Sequence, residues 1–150
     1  MNKDIKNSVE KIDFEKLSQV KFLGINLGSS AFEIMLPGEY LDMDDVDVKI
    51  EEEQEWQYLS ELDLNMDASE LFCFISTHIK FVAKESVQDA FEGGKVLEGA
   101  FSFIVRYEVP TDVELSDTEK DFILKEWAYD YAAPAVKNYL NYQMSLMGIG

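Results

Sequence analysis

The stretch Asp45–Asn65 reads DVDVKIEEEQEWQYLSELDLN and keeps one alternating pattern in step throughout. Even positions carry Val46, Val48, Ile50, Glu52, Gln54, Trp56, Tyr58, Ser60, Leu62 and Leu64, with Met66 next in phase. Odd positions carry Asp45, Asp47, Glu51, Glu53, Glu55, Glu61 and Asp63 against a single Lys49. A period of two with apolar residues on one side is the pattern of a half-buried β-strand, because successive side chains point to opposite faces of the pleat. The pattern therefore predicts either one very long strand or two in the same register with a break near Glu52–Gln54. Its wet side is an acidic wall. Phosphate binding needs clustered Lys and Arg, so this wall excludes nucleic acid, repels like chains and receives basic partners. Asp45, Asp47, Glu51, Glu53 and Glu55 are the candidate partner-docking face.

The same period recurs outward from this segment. Upstream, Leu23, Ile25 and Leu27 alternate on odd positions, then Phe32, Ile34 and Leu36 on even ones, with Gly28-Ser29-Ser30 between them. That change of parity predicts a bulge or a turn between two strands. Pro37-Gly38 ends the run. Downstream, Leu71, Cys73, Ile75, Thr77, Ile79 and Phe81 face inward on a strand over Leu71–Ala83, with His78 and Lys80 on its other side. Val87–Gly94 is a polar connection. Leu97, Phe101, Phe103, Val105, Tyr107 and Val109 then form the inward face of a strand stopped by Pro110.

Beyond Pro110 the period becomes 3.6. Ser116-Asp117-Thr118-Glu119 is a capping box, in which the Ser hydroxyl and the Glu carboxylate each satisfy a backbone NH at a helix start. A helix of some thirty residues follows, with Trp127, Tyr131, Ala135, Tyr139, Tyr142 and Leu146 in its stripe. Pro134 lacks the NH that would bond to the Asp130 carbonyl, so the helix should kink or divide there. Strands first and helix last predict an α+β fold: a four-stranded antiparallel sheet packed by a long C-terminal helix, kinked or broken at its proline. Residues 1–150 are read as one domain, with residues 1–18 a mobile arm or short helix in which Ile5, Val9 and Ile12 share one face.

Composition narrows the class. With 150 residues and 47% apolar content the chain can bury a substantial core. A formal charge of −17 together with 13% aromatic residues describes an acidic chain that still folds. The lysines and acids of Met1–Phe14 rule out a signal-peptide core there, and there is no run of about eighteen apolar residues for a membrane span. Cys73 is the lone cysteine and lies in a strand pattern, which fits a buried thiol in a cytoplasmic protein.

No constellation announces catalysis. Asp42, Asp44, Asp45 and Asp47 lack the ligand ladder and turn glycine of an EF-hand loop and read as the wet face of a strand. His78 is the only histidine, and parity puts Cys73 on the opposite side of its strand, so a dyad between them is excluded. Gly93-Gly94 and Gly99 make no phosphate-binding pattern. No cofactor and no metal are expected, and the chain is not read as an enzyme. The aromatics carry more information. Phe72 and Phe74 lie opposite Cys73 and Ile75, so that strand is apolar on both faces, and one face must meet a second subunit or an extended peptide.

The sequence of parts resembles the SecB family of export chaperones. Ser60–Ala83, SELDLNMDASELFCFISTHIKFVA, is similar to a family segment with an LDL core, a polar interval and an alternating strand. Lys95–Val109 follows a loop, as the family's last strand does. Tyr131–Gly148, YAAPAVKNYLNYQMSLMG, resembles the family's FPYAR helix, with Pro134 at its proline and Lys137 where an arginine is usual. The family's Arg-Gly and proline are replaced by Leu146-Met147-Gly148, and its C-terminal tail for the SecA motor has no counterpart. The resemblance implies a divergent, ATP-independent holdase for unfolded polypeptide, serving export or a toxin–antitoxin pair and built as a homodimer or homotetramer. Trp56, Tyr58, Phe72 and Phe74 are its groove candidates by parity, and Trp127 and Tyr131 line that groove or build the oligomer. A basic protein or an export motor would dock on the acidic face. The main rival is a helix-grip protein, whose sheet wraps one helix around a lipid or other apolar molecule; its strand count is usually higher, and Pro134 would interrupt the gripping helix. A type III secretion chaperone is a third reading, with a helix-first order that fits less well.

Overall fold

The structure, a computed structural model, describes residues 11–34, 46–83 and 95–146. Expectations that fall on Ile5, Val9, Leu36, Pro37-Gly38, Asp42, Asp44, Asp45, Val87–Gly94, Met147 and Gly148 lie outside the described residues. The elements in chain order are α1 (Phe14–Leu17), β1 (Lys21–Ile34), β2 (Val46–Leu59), α2 (Glu61–Leu64), β3 (Ser69–Ala83) and β4 (Lys95–Val109). Then α3 (Asp117–Phe122), a π-helical stretch (Ile123–Ala128) and α4 (Tyr129–Leu146) follow directly on one another. The strands form an open antiparallel sheet in the order β1-β4-β3-β2. The predicted α+β class, four strands and a long C-terminal helix, is what the chain adopts.

Two compact units divide the chain. Unit 1 comprises Met1–Asn26, Gln54–Phe74 and Ile104–Ala132; unit 2 comprises Leu27–Glu53, Ile75–Phe103 and Ala133–Gly150. In unit 1 the core holds Leu17, Leu71, Cys73, Val105, Tyr107, Val109, Ile123, Leu124 and Ala128. In unit 2 it holds Val46, Ile75, Ile79, Phe81, Leu97, Phe101 and Phe103. Apart from Glu70, the buried positions among the described side chains of β3 and β4 are thus the odd ones, as their alternation predicts. Each large apolar side chain so buried contributes about 1.5–3 kcal/mol, which is what holds these two central strands in register.

Of the two readings of β2, one long strand or two with a break near Glu52–Gln54, the structure has the first, unbroken from Val46 to Leu59. Other local expectations are corrected. The alternation of β2 does not continue as strand through Asn65. Ser60 and Asp63 form a second capping box that starts α2, and Asn65 ends that turn in the left-handed conformation at φ 53°. A short polar side chain that caps its neighbours outcompetes strand pairing there. Nor is β2 half-buried along its length. Val46 is buried, but Val48 and Ile50 are 44% and 57% exposed. β2 is an edge strand, so one flank has no neighbour among the described strands.

β1, likewise, is one strand through Gly28-Ser29-Ser30. In unit 2 Phe32 packs against Phe101 and Tyr139, and the Tyr139 hydroxyl donates to Ser30 Oγ, whereas Ser29 Oγ meets Ser102 Oγ at 3.1 Å. Neighbouring residues thus serve opposite faces without a turn. The irregular backbone of β1 is at Gly24, where φ is +154°. Pro134, finally, does not divide the helix, which continues through it as α4. The departure from α geometry comes earlier, in the π-helical stretch.

The capping box of Ser116 and Glu119 forms as predicted, and it does more than start α3. Glu119 Oε2 accepts from the Asp13 backbone NH at 2.9 Å, and Oε1 takes Lys16 Nζ at 2.7 Å. Lys16 Nζ also donates to the Glu114 carbonyl at 2.6 Å. With Leu17 buried and Phe14 edge-on to Phe122 at 5.6 Å, α1 is docked against the start of α3. Within the stretch expected to be an arm or short helix, this part is helix.

Candidate functional site

An aromatic recess in unit 1 is built by four elements. Phe22 comes from the start of β1, Tyr107 from the buried face of β4, Trp127 from the π-helical stretch, and Asp130 and Tyr131 from the first turn of α4. Val20 completes the lining, and the cavity measures about 430 Å³. This is in the range of clefts that take a small molecule or a few side chains. Phe22 and Tyr131 stack at 4.3 Å with nearly parallel rings. Tyr107 lies 5.8 Å from Phe22 and 6.0 Å from Trp127, both tilted. π-Helical turns shift the register of side chains relative to an α-helix and recur at functional sites. Here the turn carries Trp127 over Tyr107.

The polar groups of the recess are unevenly satisfied. Tyr107 is 2% exposed, and its hydroxyl has no hydrogen-bond partner in the described structure. Burial pushes its pKa above the usual phenol range, with Cys73, Tyr131 and Asp130 adding to the same direction. Asp130 is exposed. Cys73 is buried and its thiol is pushed up to about 12 by burial, which makes it an inert core residue at neutral pH.

Of the six candidate aromatics, Trp127 and Tyr131, read as lining a groove or building the oligomer, line this recess, and the four groove candidates of the strands do not. Trp56 and Tyr58 instead hold Lys120, whose Nζ lies 4.9 and 4.5 Å from their ring centroids. Trp56 Nε1 also donates to Asp121 Oδ1 at 2.7 Å, which ties β2 to α3. Phe72 is on the opposite side of β3 from Cys73, under the Arg106 guanidinium at 5.7 Å, and Phe74 is half-buried on that same side. Arg106 also binds the buried Glu70 through both Nε and a terminal nitrogen. The six residues therefore belong to three settings. Phe22, Tyr107 and Asp130 were not among the candidates. Parity assigns Tyr107 to the core, and nothing local says that it also borders a recess.

Unit 2 presents a second, more polar concavity of about 390 Å³ lined by Ser29, Glu51, Glu53, Ser76, His78 and Ser102, among others. His78 Nε2 sits 2.9 Å from Glu98 Oε1. Asp47, Glu51, Glu53 and Glu55 are all exposed, as a docking face requires, and Asp45 lies outside the described residues. No group of three or more His, Cys, Asp or Glu side chains that could hold a metal ion occurs among the described residues. No described helix is long and apolar enough to cross a membrane.

No protein-family model matches the chain, and no curated protein matches it by sequence. Among solved structures it is similar to the SecB-like chaperone Rv1957 of Mycobacterium tuberculosis, seen in complex with a ChAD peptide from the Rv1956 HigA1 antitoxin. The TM-score is 0.67 at 12% identity, over 91% of this chain and 89% of that one. The likeness establishes a shared fold.

Proposed function

We propose that this chain is an ATP-independent, SecB-like holdase that binds extended, non-native polypeptide and carries out no chemistry. The observation that supports the reading most is the open aromatic recess of Phe22, Tyr107, Trp127 and Tyr131, on a fold shared over nine-tenths of its length with a chaperone that holds a peptide. Aromatic walls suit this task because they bury large apolar area with little rotamer entropy and accept varied sequences. Affinity then comes from repeated, modest contacts along the client, not from one deep pocket.

An antitoxin segment is the first client class to try, since Rv1957 carries one, and a preprotein bound for export is the second. The acidic wall of Asp47, Glu51, Glu53 and Glu55 would receive a basic partner or an export motor by electrostatic steering, with an association rate that falls as salt rises. A homodimer or homotetramer in the cytoplasm completes the proposal. The rival pocket reading is less well supported, because both cavities described open to solvent and the sheet is open, with β1 and β2 at its edges.

The test is mass by light scattering at micromolar concentration, followed on the same sample by suppression of aggregation of a reduced, unfolded model protein without nucleotide. A dimer or tetramer that keeps the substrate in solution supports the proposal. A monomer with no holdase activity sinks it.

A further inference from the structure

The passage from α1 into β1 is held firmly at one end only. Leu17 is buried, and the backbone NH of Val20 donates to the Leu17 carbonyl at 3.1 Å. Through Glu119, which binds Lys16 and the Asp13 NH, that end is fixed to the start of α3. At Gly24 the chain is loosely surrounded. Its φ is +154°, a conformation that residues with a side chain rarely adopt, and a Cβ built there would meet nothing within 4 Å. β1 is also an edge strand, so one flank has no neighbour among the described strands. Phe22 lies between the fixed end and the glycine.

One ring pair joins this segment to α4. Phe22 stacks on Tyr131 at 4.3 Å with an interplanar angle of 6°, and both residues line the recess. Yet Phe22 is 38% and Tyr131 50% exposed, so the contact is made largely in solvent and buries little area. A ring pair of this kind contributes about as much as an unpartnered buried hydroxyl costs. That cost is present in the same recess, because Tyr107 is buried and its hydroxyl has no hydrogen-bond partner among the described residues.

We infer that Phe22 is a gate on the recess: residues 21–24 bow outward between the docked end of α1 and Gly24, and parting Phe22 from Tyr131 admits a side chain of an extended polypeptide between β1 and α4. The closed state keeps the ring stack. The open state gives up the stack and lets water or a client group reach Tyr107, so the two lie close in free energy. The free chain therefore visits the open state as a minor population, which a client captures. This rests on the polypeptide-binding reading and adds to it a step that limits how fast a client is taken up.

The test uses the full chain, first without any peptide. In protein grown with fluorinated phenylalanine, the signals of Phe22, Phe14 and Phe122 are assigned by their loss in the respective leucine variants. Relaxation dispersion should show exchange at Phe22 on the μs–ms scale and none at Phe14 or Phe122, the ring pair of the docked end. Stopped-flow mixing with a fluorophore-labelled, extended apolar peptide should then give an uptake rate that levels off as peptide is raised, at the opening rate measured by dispersion. In Phe22→Ala the plateau should vanish, with uptake about tenfold faster at the highest concentration, as an open population of about one-tenth implies. Circular dichroism melts check that each variant is folded. No exchange at Phe22 overturns the gate, and so does the same exchange at Phe14 and Phe122, because α1 would then undock as a whole. Tight binding with a rate that rises linearly past the opening rate also overturns it and leaves the holdase reading standing. If the peptide binds neither the wild-type chain nor Phe22→Ala, the polypeptide reading falls and the gate with it.

Discussion

Replacing Glu119 by Gln tests how a docked N-terminal helix is held. In the native chain this carboxylate is 1% exposed and accepts from the backbone NH groups of Asp13 and Ser116, each at 2.9 Å, and from Lys16 at 2.7 Å. Burial by itself would raise its pKa. The hydrogen bonds from Lys16, Ser116 and Asp13 outweigh burial and hold it down at about 2, against an ordinary value of 4.5. A folded-state pKa below the unfolded one means stability that is fully present above pH 4.5 and is lost as pH falls from there toward 2. At about 1.4 kcal/mol per pH unit the linked free energy is on the order of 3 kcal/mol. A Gln side chain keeps the shape but offers one acceptor and turns an NH2 toward donors, so Glu119→Gln should lose about 3 kcal/mol at pH 7. The assay is urea unfolding of both proteins from pH 7 to pH 2.5. Taking the difference between the two cancels the other carboxylates and the relief of self-repulsion in a chain of charge −17. That difference should shrink steadily below pH 4.5. A difference that stays flat, or one below about 1 kcal/mol at pH 7, would refute the assignment of Glu119 as an ionised anchor.

Other consequences are simpler to check. Arg106→Ala leaves the buried carboxylate of Glu70 without its guanidinium and should cost about 2–4 kcal/mol in chemical denaturation, discounted because Arg106 itself is partly exposed. Adding a methyl in Gly99→Ala places Cβ against the Phe32 ring, which is also packed on Phe101 and Tyr139. Overpacking there should cost about 1–3 kcal/mol, visible as a lower melting temperature. Cys73, with its thiol pushed up to about 12 by burial, should resist a thiol reagent at pH 8 in the folded chain and react at once in urea; rapid native labelling would contradict its place in the core.

Much of the fold was legible because its deciding features are local. Alternation over Leu71–Ala83 and Leu97–Val109 requires only the pleat, and it assigned the buried apolar side chains of the two central strands correctly, though not the buried Glu70. The capping box at Ser116 and the helix of about thirty residues are also short-range facts. The same local rules misread β2. Its even face is apolar, but periodicity says which side chains share a face and not whether anything covers that face. The order β1-β4-β3-β2 places β2 at an edge, and Val48 and Ile50 stay exposed.

The candidate site shows the same division. By itself the sequence determined that this chain is an acidic α+β protein with more aromatic surface than four strands need, since charge and periodicity are carried by each residue. Only the tertiary structure decided which rings meet. Trp56 and Tyr58 spend their faces on Lys120, Phe72 on Arg106, and Phe22 with Tyr107 joins Trp127 and Tyr131 around Asp130. Glu119, likewise, finds Asp13 at a separation of 106 residues. Such partnerships are set by strand order and by the helical register after the π-helical stretch, quantities that depend on the packing of distant segments and leave no periodic trace in the chain.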